Sequence, residues 1–365
     1  MKHVSISVRR LLVVFMVLFV VSGCSASPHP KNVILIIGDG MGIGAITAAR
    51  CAGPGADGKL VLDSMPVTGL VKTHSEDSLV TDSAASGTAL STGHKTKNGF
   101  VSVDAKGRTL RTILELAGGM GKSTGVVTTD AVTGATPAAF YAHIGSRDEM
   151  DSIALQLVNS RITLAMGGGK QFFVPKSAGQ DGRSDGRDLT RDARGAGFDV
   201  VFDAKGLAAS GSRRVLGLFT FDESGPTLEA MLNKSVSMLS ANPRGFFLMA
   251  ESCLPDKGGH GNKIATSLKG VNDLDSALRS AVEYAKKDRR TLVVVTADHE
   301  TGGLAVQDAD GNTVRLKPGW VTTSHTGNMV AVYAFGPGSE RFSGTHDNTE
   351  FPKIFADLWG RALGD

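Results

Sequence analysis

Asn32-Val33-Ile34-Leu35-Ile36-Ile37-Gly38-Asp39-Gly40-Met41-Gly42 is the stretch from which the fold can be read. Residues 33–37 are apolar without interruption, the pattern of a strand buried on both faces. Similar runs at 125–128, 162–166, 215–219, 246–250, 292–296 and 329–335 predict further strands. Helical patterns at 110–117, 147–160, 227–239, 264–287 and 351–358 fall between or after them. This alternation predicts an α/β fold, a three-layer α/β/α sandwich around a mostly parallel sheet. In such folds ligands gather beyond the carboxyl ends of the strands. Residues 178–197, rich in Gly, Asp and Arg, read as a surface loop leading into a helix. No repeat or low-complexity tract divides residues 31–365, so one domain is expected there.

The N-terminus reads differently. Lys2, Arg9 and Arg10 precede a short apolar run from Leu11 to Val21, followed by Ser22-Gly23-Cys24. This resembles a bacterial lipoprotein signal: a leader over 1–23, an acylated Cys24 and a tether over 24–30. An exported protein anchored on the periplasmic side is implied. Ser25 carries no aspartate-type retention signal, which favours the outer membrane. Losing the leader removes three positive charges and takes the formal net charge from +3 to zero. Neither that balance nor an aromatic content of 6% suggests nucleic acid as a partner. Cys51 and Cys253 remain, and their separation leaves a disulfide open.

A second stretch bears on chemistry: Val80-Thr81-Asp82-Ser83-Ala84-Ala85-Ser86-Gly87-Thr88-Ala89. A small polar turn enters an Ala-rich, helix-favouring segment, placing Ser83 at or near a helix N-terminus. Free N–H groups and the helix dipole favour an anion there. No histidine or lysine stands beside Ser83 as a base. The serine is either a plain cap or a nucleophile activated from a distance.

The acidic residues decide between these readings. Asp39, Asp130, Glu251 and Asp298 each follow a predicted strand, and His299 adjoins Asp298. One such carboxylate is usually a helix cap, but several converging on one sheet edge require cations. Asp256 and His260 lie four residues apart, although Gly258 and Gly259 argue against a regular helix between them. His325 stands in a polar segment before a strand. Aspartate and neutral imidazole are common ligands of hydrolytic zinc, and the supply suffices for two such sites plus an oxygen-rich third site using Glu251. Two metals about 4 Å apart suit in-line phosphoryl transfer and can activate a serine hydroxyl. Arg147 is a natural bidentate clamp for phosphate.

Together, residues 32–42, 80–93, 135–147, 247–260, 295–303 and 324–327 resemble the alkaline phosphatase family, in that family's order. The resemblance implies that Ser83 is the nucleophile of a phosphoserine intermediate, with Asp82 orienting a phosphate-binding Arg147. It implies one zinc held by Asp256, His260 and His325, and a second held by Asp39, Asp298 and His299. Asp39, Thr136 and Glu251 would hold magnesium, and Lys257 would reach phosphate directly or through water. Gly134 departs from the pattern, standing where many members carry Asp or His, which puts the magnesium site in doubt. The chain is short for the family, so a homodimer is implied only by analogy and a monomer is open. The implied substrates are small phosphate monoesters. Phosphodiesterase or another phosphoryl-transfer activity is the alternative on the same scaffold, and a non-catalytic metal- or phosphate-binding lipoprotein is a further one. Cys253-Leu254-Pro255-Asp256-Lys257 superficially resembles a sulfatase signal but ends in Lys.

Overall fold

The computed structural model describes residues 29–177, 181–221, 225–309 and 312–364. The expected leader and Cys24 lie outside the described residues.

The strands are β1 Asn32–Gly38, β2 Val67–Lys72, β3 Ser123–Ala131, β4 Leu164–Gly168, β5 Asp199–Val201, β6 Val215–Leu218, β7 Phe246–Ser252 and β8 Thr291–Thr296, followed by β9 Glu300–Thr301, β10 Ala305–Ala309, β11 Asn312–Gly319, β12 His325–Thr326, β13 Val330–Phe335 and β14 Gly344–Asp347. The helices are α1 Ile43–Ala52, α2 Ser83–Thr92, α3 Ile113–Gly119, α4 Ala135–Ala138, α5 Met150–Asn159, α6 Leu189–Gly195, α7 Ala204–Ala209, α8 Leu228–Leu239, α9 Leu254–His260, α10 Ile264–Asp288 and α11 Glu350–Leu358.

Ten strands form one sheet in the order β14-β2-β13-β8-β1-β7-β3-β4-β6-β5. Every neighbouring pair is parallel except those made by β13, which runs antiparallel to both β2 and β8. The expected α/β sandwich with a mostly parallel sheet is therefore the observed architecture. Strands β1, β7 and β8 are buried along their whole length, which is why their sequences do not alternate. Helices α1, α8 and α10 pack together over the sheet, and α2, α3, α4 and α11 form the second covering group. β10 and β11 make a separate two-stranded ribbon, and β9 pairs with β12.

Several boundaries differ from the sequence reading. The helix expected from 147 begins at Met150, because residues 146–149 form a turn in which the Glu149 N–H donates to the Ser146 carbonyl at 3.3 Å. The strand expected at 162–166 lies at Leu164–Gly168, set by the pairing of Leu164 with Gly125 and Val215. The segment after 180 leads into α6, as read, with Asp188 capping the helix. Cys51 and Cys253 are both free thiols.

Register brings the acidic strand ends together. Ile37 pairs with Glu251 on one side and with Thr296 on the other, while Thr128 pairs with Glu251. The carboxyl ends of β3, β7, β1 and β8 therefore lie side by side, and Asp130, Glu251, Asp39 and Asp298 project from that edge.

Candidate metal centre and nucleophile

Helix α2 starts at Ser83, and the residue before it, Asp82, is the cap: its Oδ1 accepts from the Ala85 N–H at 2.9 Å. This cap satisfies one of the free N–H groups of the first turn and leaves the Ser83 hydroxyl uncommitted to the helix. The helix is buried all round, which its Ala, Ser, Thr and Gly composition permits. Ser83 is 4% exposed, and its Oγ lies 3.2 Å from His299 Nε2.

The other oxygen of Asp82 holds Arg147. Oδ2 accepts from the Arg147 guanidinium at 3.0 Å and from the Gly99 N–H at 3.0 Å. The Arg147 backbone N–H donates to the Gly99 carbonyl at 2.8 Å. One carboxylate thus fixes both the helix that starts with Ser83 and the guanidinium.

Asp256, His260 and His325 form one cluster of potential ligands, and Asp39, Asp298 and His299 form another. Asp256 and His260 are brought to one side by α9, which is helical despite its two glycines. Those glycines serve packing: a Cβ at Gly258 would lie 2.4 Å from the Ser267 nitrogen of α10. Gly40, at φ +65°, brings the β1 turn against α9, where a Cβ would lie 2.6 Å from Asp256 Cα. The His299 and His325 rings stack with centroids 3.6 Å apart, so the two clusters adjoin.

All three histidines are oriented alike. His325 Nδ1–H donates to the Thr81 carbonyl at 2.9 Å, and His260 Nδ1–H donates to the Thr323 carbonyl at 2.7 Å. The Thr301 hydroxyl donates to Asp256 Oδ1 at 2.6 Å, so it accepts from His299 Nδ1–H at 3.2 Å. Each Nε2 therefore carries a free lone pair directed into the clusters. The Nε2 atoms of His260 and His325 face one another at 3.2 Å, which two acceptors tolerate only with a cation or proton between them.

The second cluster makes the same demand. Asp298 Oδ1 accepts from the Gly40 and His299 N–H groups at 3.1 and 2.9 Å, but Asp298 Oδ2 and Asp39 Oδ1 are buried without a hydrogen-bond partner, facing His299 Nε2 at 3.2 and 3.5 Å. Burial, with Asp298, Asp256 and Glu251 close by, pushes the Asp39 carboxyl well above its usual range. Burial likewise pushes Glu251 up to about 8, against a Thr128 hydroxyl hydrogen bond that pulls it down. Thr136, on α4, is a second hydroxyl that pulls Glu251 down. Asp256 behaves oppositely: burial is outweighed by His325, His299 and Thr301, which hold it at about 2. Orphaned carboxylate oxygens, facing imidazole lone pairs and raised acids are what sites built for divalent cations show when considered without them. The Asp256/His260/His325 and Asp39/Asp298/His299 donor sets fit divalent cations.

Every residue expected at the site, apart from Cys24, is thus placed on or beside this sheet edge. Lys257 points to Asp130, with Nζ 3.0 Å from Oδ1. Thr301 was not anticipated, although it follows His299 by two residues, the spacing that returns a strand to one side. The Thr81 and Thr323 carbonyls that set the histidine tautomers carry no side-chain signature at all. Cys253 is buried, its thiol donating to the Thr129 carbonyl at 3.3 Å.

Comparison with known proteins agrees with this geometry. The family profile described as "Alkaline phosphatase" matches residues 30–314 and 306–359. "Alkaline phosphatase 4" of Bacillus subtilis is 33% identical, over 89% of this chain and 87% of its own. The alkaline phosphatase of Escherichia coli K12 is 34% identical, over 89% and 85% respectively. The structure of the alkaline phosphatase from the Antarctic bacterium TAB5 superposes with a TM-score of 0.82 at 33% identity, covering 91% of this chain and 98% of that one. A variant of that enzyme, described with Mg bound in its M3 site, gives a TM-score of 0.81 at 34% identity, covering 91% and 99%. By sequence, fold and the arrangement of its catalytic edge, the chain belongs to the alkaline phosphatase family.

Proposed function

We propose that this enzyme hydrolyses phosphate monoesters through a phosphoserine on Ser83, using two zinc ions and one magnesium ion. The observation that carries the reading is the position of Ser83 Oγ: first residue of a capped helix, 3.2 Å from His299 Nε2, beside the Asp82–Arg147 pair. Asp256, His260 and His325 hold one zinc; Asp39, Asp298 and His299 hold the other; Asp39, Thr136 and Glu251 hold magnesium. When bound, the cations supply Lewis acidity, favouring the deprotonated serine oxygen and the negative charge of the leaving oxygen.

The residues of the chain do the rest. Arg147 binds two phosphate oxygens in a planar, two-pronged contact, and Asp82 keeps it aimed. The serine oxygen, its proton given up to solvent, bonds to phosphorus as the P–O bond to the alcohol breaks, and the leaving alkoxide takes a proton from water. Water then cleaves the Ser–O–P linkage, restoring the hydroxyl and releasing inorganic phosphate. The free N–H groups at the start of α2 favour the negative charge carried by the phosphoserine. The whole apparatus sits in a single catalytic domain spanning residues 31–365.

Arg147→Ala tests the clamp. With a nitrophenyl phosphate monoester, kcat/KM is expected to fall about 10²-fold, with weaker inhibition by inorganic phosphate. An unchanged kcat/KM would remove Arg147 from substrate binding. A bis-nitrophenyl ester hydrolysed faster than the monoester would overturn the monoester assignment.

Export as a lipoprotein completes the proposal. It rests on the order of Lys2, Arg9, Arg10, the apolar run and Cys24. No described helix is long and apolar enough to cross a membrane. Expressed in a bacterium, the protein is expected in the membrane fraction, and Cys24→Ala is expected to move it to the soluble fraction. An equal distribution of both forms would contradict acylation.

A further inference from the structure

We propose that Ser86 is a positioning residue that holds the Asp298 segment of the second ligand cluster against the helix of the nucleophile, and that Asn348 keeps the Ser86 hydroxyl turned to that task. The inference rests on the proposed phosphatase site and adds two residues to it.

Ser86 lies one turn after Ser83 on α2, so the two are neighbours on the helix surface. It is buried, and its hydroxyl donates to the Asp298 carbonyl at 2.6 Å. The next residue is His299, whose Nε2 lies 3.2 Å from Ser83 Oγ. One hydrogen bond therefore ties the helix of the nucleophile to the backbone that carries two ligands of the second cluster. The helices packed against α2 are α3, α4 and α11, and none of them carries a ligand of that cluster. Their packing does not by itself set the spacing between Ser83 and His299.

Asn348 fixes the direction of the Ser86 proton. It is fully buried in the turn after β14, where its N–H donates to the Lys72 carbonyl at 3.1 Å. Its Oδ1 accepts from the Lys95 ammonium at 2.6 Å, and its Nδ2 donates to Ser86 Oγ at 3.0 Å. An ammonium only donates, so the amide has one orientation. The Ser86 oxygen receives the amide N–H, and its own single proton is left for the Asp298 carbonyl. Lys95 is held in turn by the His74 carbonyl at 2.7 Å and by Asp347 at 3.1 Å. A buried chain of this kind is fully satisfied in one arrangement, and here that arrangement sets a distance at the reacting atoms.

The test uses the full-length, zinc- and magnesium-loaded protein, assayed well below the melting temperature of each variant. Zinc affinities are measured by competition with a chelator. Asn348→Asp keeps the acceptor for Lys95 but turns a carboxylate oxygen to Ser86, which draws the hydroxyl proton away from Asp298. Ser86→Ala and Asn348→Asp are each expected to lower kcat for a nitrophenyl phosphate monoester about tenfold, with KM within about twofold of the parent. Each is expected to weaken one zinc ion about tenfold and to leave the other unchanged. The double variant is expected to be no worse than Ser86→Ala alone, because both changes act through one hydrogen bond. A lower melting temperature with the kcat and zinc affinities of the parent would make the network a brace for the fold alone and would overturn the proposal. Single effects that multiply, or an Asn348→Asp variant that behaves as the parent, would overturn it too, while leaving the phosphatase reading intact if Ser83→Ala is inactive.

Discussion

Replacing Ser83 by alanine is expected to lower monoester turnover by about 10³-fold or more, the largest effect of any single change in the chain. The loss should fall on kcat. Ser83 is a buried first-turn residue whose hydroxyl touches His299 and takes no part in capping, since Asp82 performs that role. Alanine keeps the helix, the Arg147 clamp and both ligand clusters. Inorganic phosphate should therefore still bind, and the melting temperature should change little. Loss of phosphate binding together with turnover would mean that the serine supports the architecture of the site rather than the chemistry. Turnover close to that of the parent would remove Ser83 as nucleophile.

The second large effect is expected in the protein stripped of metal. Glu251 is pushed by burial from an ordinary 4.5 up to about 8, and Asp39 is raised in the same direction by burial and by Asp298. A carboxyl whose pKa is higher in the folded than in the unfolded state holds its proton more tightly in the fold. Between the two values the folded protein binds more protons, so stability falls as pH rises. For Glu251 that window runs from about 4.5 to about 8. Asp256, held at about 2, works the other way, but its contribution is lost only at acid pH below that window. The chelated protein should therefore melt lower at pH 8 than at pH 5.5, by about 5 °C or more. Zinc and magnesium should abolish most of that fall, because cations bound at the carboxylates stabilise their charged forms and bind only the folded chain. A metal-free melting temperature that rises over this range would contradict the assignment of these acids to cation sites.

Much of this was legible in the sequence, for a physical reason. Strands buried on both faces have no polar alternates, so β1, β7 and β8 stand out as apolar runs, and the residue after each run falls at the ligand-binding edge. Where that condition fails, so does the reading. Val67–Lys72 pairs near the edge of the sheet with partly exposed positions, and Asp199–Val201 is a three-residue edge strand; neither has the length of apolar run that marks a core strand. Gly258 and Gly259 argue locally against a helix, yet tertiary contact with α10 requires the glycines and α9 forms around them.

The clustering of candidate ligands was readable because several carboxylates converge on the ends of neighbouring strands, where a single one would pass as a helix cap. Their orientation was not. His325 is set by the carbonyl of Thr81, 244 residues away, and His260 by that of Thr323. Backbone acceptors look alike in any sequence and acquire identity only through the fold. Asp130 shows the same limit: its place at a strand end is visible, but its pairing with Lys257 depends on how α9 lies across β3.

The most direct measurement is to quench the metal-loaded enzyme with acid during turnover of a phosphate monoester, then locate covalent phosphate by peptide mass. The phosphoserine reading predicts one added phosphate on the peptide containing Ser83, absent in Ser83→Ala and absent without substrate. An active enzyme that carries phosphate on another residue, or none under conditions where the intermediate accumulates, would contradict it.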